Sequence, residues 1–319
     1  MEAGLYASVQ DAGRPGLRRL GVAPGGVLDY PAAAIANLLV GNAPESPVLE
    51  IHFPAPRLRF AQETFIALGG ADFSPTLDGR PLANWRRHRV RSGQQLSFGK
   101  PRYGRWAYLA FAGGGLATPR WFGSAAMTPF AGLDGLLGRP LRAGDVLPLP
   151  PCLPALTDDA ALAPTALPAY ARGVVRPIRV VPGPEFNRLA PDDRARFFTE
   201  AFTVGAASNR MATRLEGARL RLAEPLELVS SAVACGVIQL PPDGRPTVLL
   251  ADAHTVGGYP RAAFVIAADL PDFVQRPLGA TVHFQPTTIA EAERAATALR
   301  RGLAKLTAAV ALTKTTQRD

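Results

Sequence analysis

Four short polar stretches hold the side chains with which this chain could do chemistry. The first, Val9-Gln10-Asp11-Ala12-Gly13-Arg14-Pro15-Gly16, sets an amide, a carboxylate and a guanidinium within five residues. Such a set can hold a polar ligand, or can lock its own loop through an Asp11–Arg14 pair. The second, Gly69-Gly70-Ala71-Asp72, follows an apolar run ending at Leu68. Its glycines would let the backbone approach a partner closely and display Asp72 on a loop. The third, Ser208-Asn209-Arg210-Met211-Ala212-Thr213-Arg214-Leu215-Glu216-Gly217, carries two guanidinium groups. In an extended segment Arg210 and Arg214 share a face and could grip one carboxylate, with Ser208 and Asn209 adding neutral hydrogen bonds. They could equally pair with Glu216 and other nearby acids. The fourth, Leu250-Ala251-Asp252-Ala253-His254-Thr255-Val256-Gly257-Gly258-Tyr259-Pro260, delivers Asp252 from an apolar strand into a Gly-rich loop displaying Thr255 and Tyr259. Gln239 lies upstream, at a strand end before Pro241-Pro242-Asp243-Gly244. A plain hairpin connection would tolerate the same residues.

Common catalytic signatures are missing: no GxSxG, HExxH or Walker A sequence occurs. His52, His88, His254 and His283 lack metal-ligand spacing, so no metal site is expected. Gly113-Gly114-Gly115 follows a strand without a helix behind it and reads as a tight turn rather than a phosphate cradle. Cys152 and Cys235 form no CxxC and read as two reduced thiols.

The elements that must position these residues are mainly strands. Glycine and proline number 31 each, a composition that favours turns and short strands over long helices. Leu58 to Phe60, Thr64 to Leu68, Gln95 to Phe98 and Trp106 to Ala112 read as strands, divided by Asp78-Gly79, Ser92-Gly93 and Ala143-Gly144-Asp145. Further strands are expected at Ile178 to Val181, Leu226 to Leu228, Val237 to Leu240, Val248 to Ala251, Ala262 to Ile266 and Thr281 to Phe284. Three helices are expected. One is capped by Asp29, with Pro31 in its first turn and Gly41 after its end. A second spans Pro191 to Phe202, and a third starts at the capping box Thr288-Ile289-Ala290-Glu291 and runs to about Leu312. Gln317-Arg318-Asp319 reads as a frayed tail. The predicted organisation is one β-rich domain over 1–150, a Pro/Ala-rich linker over 151–170, and a second β-rich domain with the terminal helix over 171–319.

The chain carries a formal net charge of +9, with its densest basic stretch from Arg80 to Arg105. No RNP or helix-turn-helix pattern accompanies that stretch, so it reads as a solvated loop or a docking face for another chain rather than a nucleic-acid site. No apolar run is long enough for a membrane helix, and the first residues lack a secretory pattern, so a cytoplasmic location is expected.

Taken together and in order, these motifs resemble the biotin-dependent carboxyltransferase family, also called allophanate hydrolase subunit 2. The resemblance spans nearly the whole chain. It rests on Val9-Gln10-Asp11-Ala12-Gly13-Arg14, on Gly25…Asp29…Ala36-Asn37-Leu38-Leu39-Val40-Gly41-Asn42 and on Leu49-Glu50. It continues through Gly70-Ala71-Asp72, Leu96-Ser97-Phe98-Gly99, Tyr108-Leu109-Ala110, Ser208-Asn209-Arg210-Met211 and Arg214-Leu215-Glu216-Gly217. Ile238-Gln239-Leu240-Pro241-Pro242-Asp243-Gly244 and Asp252…Thr255-Val256-Gly257-Gly258-Tyr259-Pro260 complete it. The sequence departs from the family pattern at Ala125 and Ala126, at Ala212, where a Gly is usual, and at His254, where a Gln is common.

The resemblance implies a mainly β fold of two cyclophilin-like β-barrel domains with a few helices. It also implies a heteromer with a related, Kip-inhibitor-like B subunit and, for 5-oxoprolinase, an A subunit. Three functions follow from it. The first is the C subunit of an ATP-dependent 5-oxoprolinase, which opens 5-oxo-L-proline to L-glutamate with ATP and Mg in the assembled complex and is inactive as an isolated chain. The second is carboxyl transfer from biotin to urea or a similar small amide. The third is a non-enzymatic regulator of a Kip-inhibitor-like partner. The absence of a biotin-carrier site from this chain favours the first. The residues implied for catalysis are Asp72, Asp252 and Tyr259. Those implied for substrate binding are Gln10, Asp11, Arg14, Ser208, Arg210, Arg214, Gln239, Thr255, Gly257 and Gly258.

Overall fold

The computed structural model describes residues 4–129, 131–150, 156 and 160–316. Cys152 and the rest of the expected linker's proline run, Pro151 to Pro154, lie outside the described residues, as do Gln317-Arg318-Asp319. The fold is mainly β, and the chain divides into two compact units. One comprises Met1–Arg14, Gly25–Gly173 and Arg300–Asp319; the other comprises Pro15–Pro24 and Val174–Leu299.

The first unit holds strands β1 (Tyr6–Gln10), β2 (Val48–His52), β3 (Leu58–Arg59), β4 (Thr64–Asp72), β5 (Thr76–Leu77), β6 (Arg80–Pro81), β7 (Arg87–Val90), β8 (Gln95–Ser97) and β9 (Tyr103–Phe111). They form a five-stranded sheet in the order β1-β2-β9-β4-β7 and a four-stranded sheet in the order β3-β8-β5-β6. Side chains alternate across a strand. One face of the larger sheet therefore gives Val9, Leu49, Ile51, Leu68 and Leu109 to a core shared with Leu77 and Leu96 of the smaller sheet. The opposite face is covered by helix α1 (Tyr30–Leu39). Asp29 caps α1 by accepting from the Ala32 amide at 3.0 Å. Pro31 sits in the first turn, where its missing N–H costs nothing.

The Gly69-Gly70 pair lies inside β4 and not on a loop, which corrects the sequence expectation. A Cβ on Gly69 would stand 2.6 Å from the Ala32 carbonyl oxygen, so its absence is what lets α1 lie on the sheet. Gly70 has φ +76°, and a Cβ there would meet the Trp106 carbonyl oxygen at 2.3 Å. The register of β4 against β9 shifts at this point, marking a bulge that only glycine accommodates. A short helix α2 (Gly135–Gly138) follows later in this unit.

The second unit holds β10 (Ile178–Pro182), β11 (Phe202–Val204), β12 (Ala212–Gly217), β13 (Ser231–Ala232), β14 (Val237–Gln239), β15 (Thr247–Leu249), β16 (Val256–Gly257), β17 (Arg261–Val265), β18 (Thr281–Val282) and β19 (Phe284–Pro286), with helices α3 (Pro191–Thr199) and α4 (Leu270–Val274). Eight strands form one sheet in the order β18-β11-β12-β15-β14-β17-β10-β19. Its two edge strands are consecutive in the chain and separated only by His283. The edges must therefore come together, and the sheet curls into a near-closed barrel. The expected single strand over Thr281 to Phe284 is thus two, broken where the carbonyl of His283 accepts from the Ile178 amide at 2.8 Å. Phe197, Phe202 and Phe284 pack inside, with the rings of Phe197 and Phe284 stacked 5.0 Å apart. Leu226 to Leu228 is not a strand; Leu226 and Leu228 are only half-buried in an irregular segment.

Helix α5 (Ile289–Thr316) begins with the expected capping box. The Thr288 amide donates to Glu291 Oε2 at 3.0 Å, and the Glu291 amide donates to Thr288 Oγ1 at 3.2 Å. Among the described residues no helix is long and apolar enough to cross a membrane.

Candidate functional site

The sequence-predicted residues fall into two groups, one in each unit. In the first unit, strand alternation places Ser8 and Gln10 of β1, Glu50 of β2 and Tyr108 of β9 on the face beneath α1. Ser8 stands opposite Glu50, Glu50 opposite Tyr108, and Tyr108 opposite Gly69. All four polar side chains are fully buried. Burying such groups is costly unless they are hydrogen-bonded. The Leu28 amide donates to Glu50 Oε2 at 2.8 Å, and the Asp29 amide donates to the Tyr108 hydroxyl at 2.8 Å. Gln10 Nε2 donates to Ser8 Oγ at 3.0 Å. Tyr170 donates to Asp29 Oδ2 at 2.7 Å; burial and then the Asp29 charge push its pKa well above the usual tyrosine range. Glu50, Tyr108 and Tyr170 are not among the residues that the sequence singles out for a site. A lone Glu inside the apolar run Val48–His52 is the signal that could find the first of them.

Asp11 and Arg14, just past β1, clamp a distant loop. Asp11 accepts from Gly13 N at 2.8 Å, Ser124 Oγ at 2.6 Å and Ala125 N at 2.7 Å. Arg14 donates to the carbonyls of Trp121, at 3.3 Å, and Ala126, and its guanidinium lies 5.2 Å from the Trp121 ring centre. Asp11 and Arg14 therefore do not pair with each other in the way the sequence suggests. They hold the segment Trp121–Met127, which runs against β1 through Met127 N to Val9 O at 2.9 Å. Ala125 and Ala126 take part through backbone atoms, so their departure from the family pattern removes no group from this clamp.

Asp72 ends β4. It accepts from Ser74 N at 2.7 Å, with Arg102 3.4 Å away.

In the second unit Arg210 and Asp252 form a nearly buried bidentate pair, at 3% and 7% exposure. Arg210 Nε meets Oδ2 at 2.8 Å and Nη2 meets Oδ1 at 2.9 Å. Arg210 precedes β12, whereas Arg214 lies within it and pairs with Asp243 rather than Glu216. The two arginines thus answer to different acids and do not form one clamp. Ser208 braces the turn before β12, donating to Gly205 O at 2.7 Å and accepting from Arg214 N at 3.1 Å.

Asp252, Thr255, Gly257, Gly258 and Tyr259 share one loop, which pairs with β13 through Ser231–Gly257. Thr255 is buried and Tyr259 is 48% exposed. Gln239 reaches this loop from β14, where a register shift between Ile238 and Gln239 marks a bulge that re-aims the side chain. Its Nε2 is buried and has no hydrogen-bond partner among the described residues. A Cβ on Gly257 would stand 2.6 Å from that nitrogen. The Gly257 backbone thus lies directly against the buried amide. Although Cys235 is open to solvent, the protein crowded around it desolvates the thiol and pushes it up to about 11 against the opposing charges of Arg18 and Arg210. It is therefore protonated at neutral pH, a poor state for a nucleophile. Among the described residues no group of three or more His, Cys, Asp or Glu is placed to hold a metal ion.

Residues 20–286 match the family model described as carboxyltransferase domain, subdomain A and B. The chain is 37% identical to the 5-oxoprolinase C subunit of Escherichia coli, over 92% of this chain and 93% of that protein. It is 35% identical to the 5-oxoprolinase C subunit of Haemophilus influenzae, over 90% of each. The crystal structure of K. lactis urea amidolyase superposes with a TM-score of 0.87 at 29% identity, covering 96% of this chain and 19% of that one.

Proposed function

Since the chain belongs to the family of carboxyltransferase domains with subdomains A and B, we propose that it is the C subunit of an ATP-dependent 5-oxoprolinase, opening 5-oxo-L-proline to L-glutamate only with its partner subunits. The observation that carries this reading is end-to-end correspondence. The proteins named as the C subunit of 5-oxoprolinase are matched over at least 90% of their length, whereas the urea amidolyase structure is matched over 19%.

The second-unit loop suits a cyclic amide. A lactam oxygen needs a hydrogen-bond donor, and Gln239 Nε2 is a donor beside Gly257 that no group among the described residues satisfies. The bidentate Arg210–Asp252 pair holds the loop that carries Thr255, Gly257 and Tyr259. Tyr259 stands at its exposed end, where it can orient the ring. ATP and Mg supply activation of the lactam carbonyl in the assembled complex. A ureido oxygen would accept from the same amide, and the carboxyltransferase family model favours biotin-dependent transfer as the second reading.

The test is co-expression with the B and A subunits of a 5-oxoprolinase. The complex should convert 5-oxoproline to glutamate with ATP hydrolysis, and this chain alone should not. Glutamate formation by the other subunits at the same rate without this chain overturns the assignment. Carboxylation of urea by the complex with carboxybiotin would favour the second reading.

A further inference from the structure

The first unit has a cavity of about 310 Å³ lined by Leu77, Arg80, Leu82, Arg89, Arg91 and Gln94, away from both groups of residues described above. Three arginines and two leucines line it. Arg89 is already paired with Glu63. Neither Arg80 nor Arg91 has a side-chain hydrogen bond or ion pair among the described residues. The turn that carries Arg91 is held in place. The Arg91 amide donates to Gln94 Oε1 at 2.8 Å, and Gln94 Nε2 donates to Asp78 Oδ2 at 2.9 Å. Asp78 is the nearby counter-charge. It accepts from that amide and from the Gln95 amide at 2.8 Å, stays charged, and acts on Arg80, which leaves Arg91 without a counter-charge among the described residues.

We propose that this cavity binds a compact polyanion with two oxyanion ends, of the diphosphate class, gripped by Arg80 and Arg91. A guanidinium fork matches phosphate oxygens two at a time; with Arg89 paired and Asp78 acting on Arg80, the cavity keeps a net positive charge, and two forks suit a ligand with an oxyanion at each end. Small-molecule sites run from about 300 to 1,000 Å³. This cavity is at the lower bound, which favours a compact anion over a whole nucleotide. The proposal is independent of the 5-oxoprolinase reading.

The experiment is calorimetric titration of the full chain with pyrophosphate at low ionic strength, with inorganic phosphate and succinate as further arms. Pyrophosphate should bind at one site. Arg80→Gln and Arg91→Gln should each weaken it about ten-fold, the loss of roughly one charged hydrogen bond. Arg301→Gln, an exposed arginine on α5 outside the cavity, should leave it unchanged. Phosphate, with one oxyanion end, should bind more weakly than pyrophosphate. Succinate binding more weakly than pyrophosphate assigns the site to diphosphates, and succinate binding as tightly overturns that assignment in favour of dicarboxylates of the same charge pattern. Both side chains are exposed and make no hydrogen bond among the described residues, so the variants should keep the wild-type circular dichroism spectrum. Absence of saturable binding at millimolar pyrophosphate, or an equal loss in Arg301→Gln, overturns the proposal.

Discussion

Asp11 in the first unit and Asp252 in the second are both nearly buried aspartates on segments that follow strands, and each has arginines close by. Asp11 gives its oxygens to a hydroxyl and two backbone amides, while Arg14 takes two carbonyls of the same loop. Apart from the local bond to Gly13, the contacts cited fasten one segment to another. Asp252 gives both oxygens to Arg210, and farther along the same loop Gly257 lies against the Gln239 donor, which is left without a partner among the described residues. The same residue types tie two segments together in one unit and pair with each other in the other. What separates them is where the aspartate oxygens go, to a hydroxyl and backbone amides in one and to an arginine in the other; each region keeps a buried unsatisfied amide atom, Gln10 Oε1 in the first and Gln239 Nε2 in the second.

The largest expected effect comes from breaking the Arg210–Asp252 pair. Arg210→Ala leaves a buried carboxylate without its bidentate partner, a loss of about 3–5 kcal/mol. The double variant Arg210→Met with Asp252→Leu removes both charges and should recover most of that loss, as read from urea denaturation. If the double variant is no more stable than the single, the pair is not the source of the effect.

Next comes the fastener. Asp11→Ala strips the acceptor from Ser124, Ala125 and Gly13 and should cost about 3 kcal/mol; Ser124→Ala, which removes one of these donors, should cost about 1 kcal/mol. Hydrogen exchange should rise mainly in Trp121–Met127. Uniform exchange across the first unit would instead show that Asp11 supports the whole sheet.

Much of the scaffold around both regions is legible in the sequence because it depends on local chemistry. Asp29, Pro31 and Gly41 set the bounds of α1, and Thr288 with Glu291 starts α5. Strands β1 and β2 are harder to see because their inward polar residues, Ser8, Gln10 and Glu50, interrupt the apolar pattern that marks strands; α1 covers them, which no local pattern reports. Gly69-Gly70 reads as a loop because the helix that requires the missing Cβ lies some thirty residues away in sequence. The candidate site is legible as residue types but not as pairings. Arg210 and Arg214 look like one clamp, since nothing in their spacing shows that Asp252 and Asp243 claim them separately. The unsatisfied donor of Gln239 depends on a bulge and on every neighbour's hydrogen bonds, and so emerges only in three dimensions.

The smallest expected effect on stability is the most informative. Gln239→Leu fills a similar volume and removes an amide whose Nε2 has no partner among the described residues. Breaking a fastener leaves donors or acceptors orphaned; this change removes one that is already orphaned. Burying such a donor without a hydrogen bond costs about 1–3 kcal/mol, so the variant should be as stable as the wild type or slightly more so. Its effect should show in function instead. In the co-expressed complex, affinity for 5-oxoproline should fall about ten-fold, the loss of roughly one hydrogen bond made to substrate. A variant that loses about 2 kcal/mol or more of stability would show that Gln239 holds the loop and would place it with Asp11. A variant that is both stable and fully active would remove Gln239 from the site and leave the exposed Tyr259 end of the loop as the place to search.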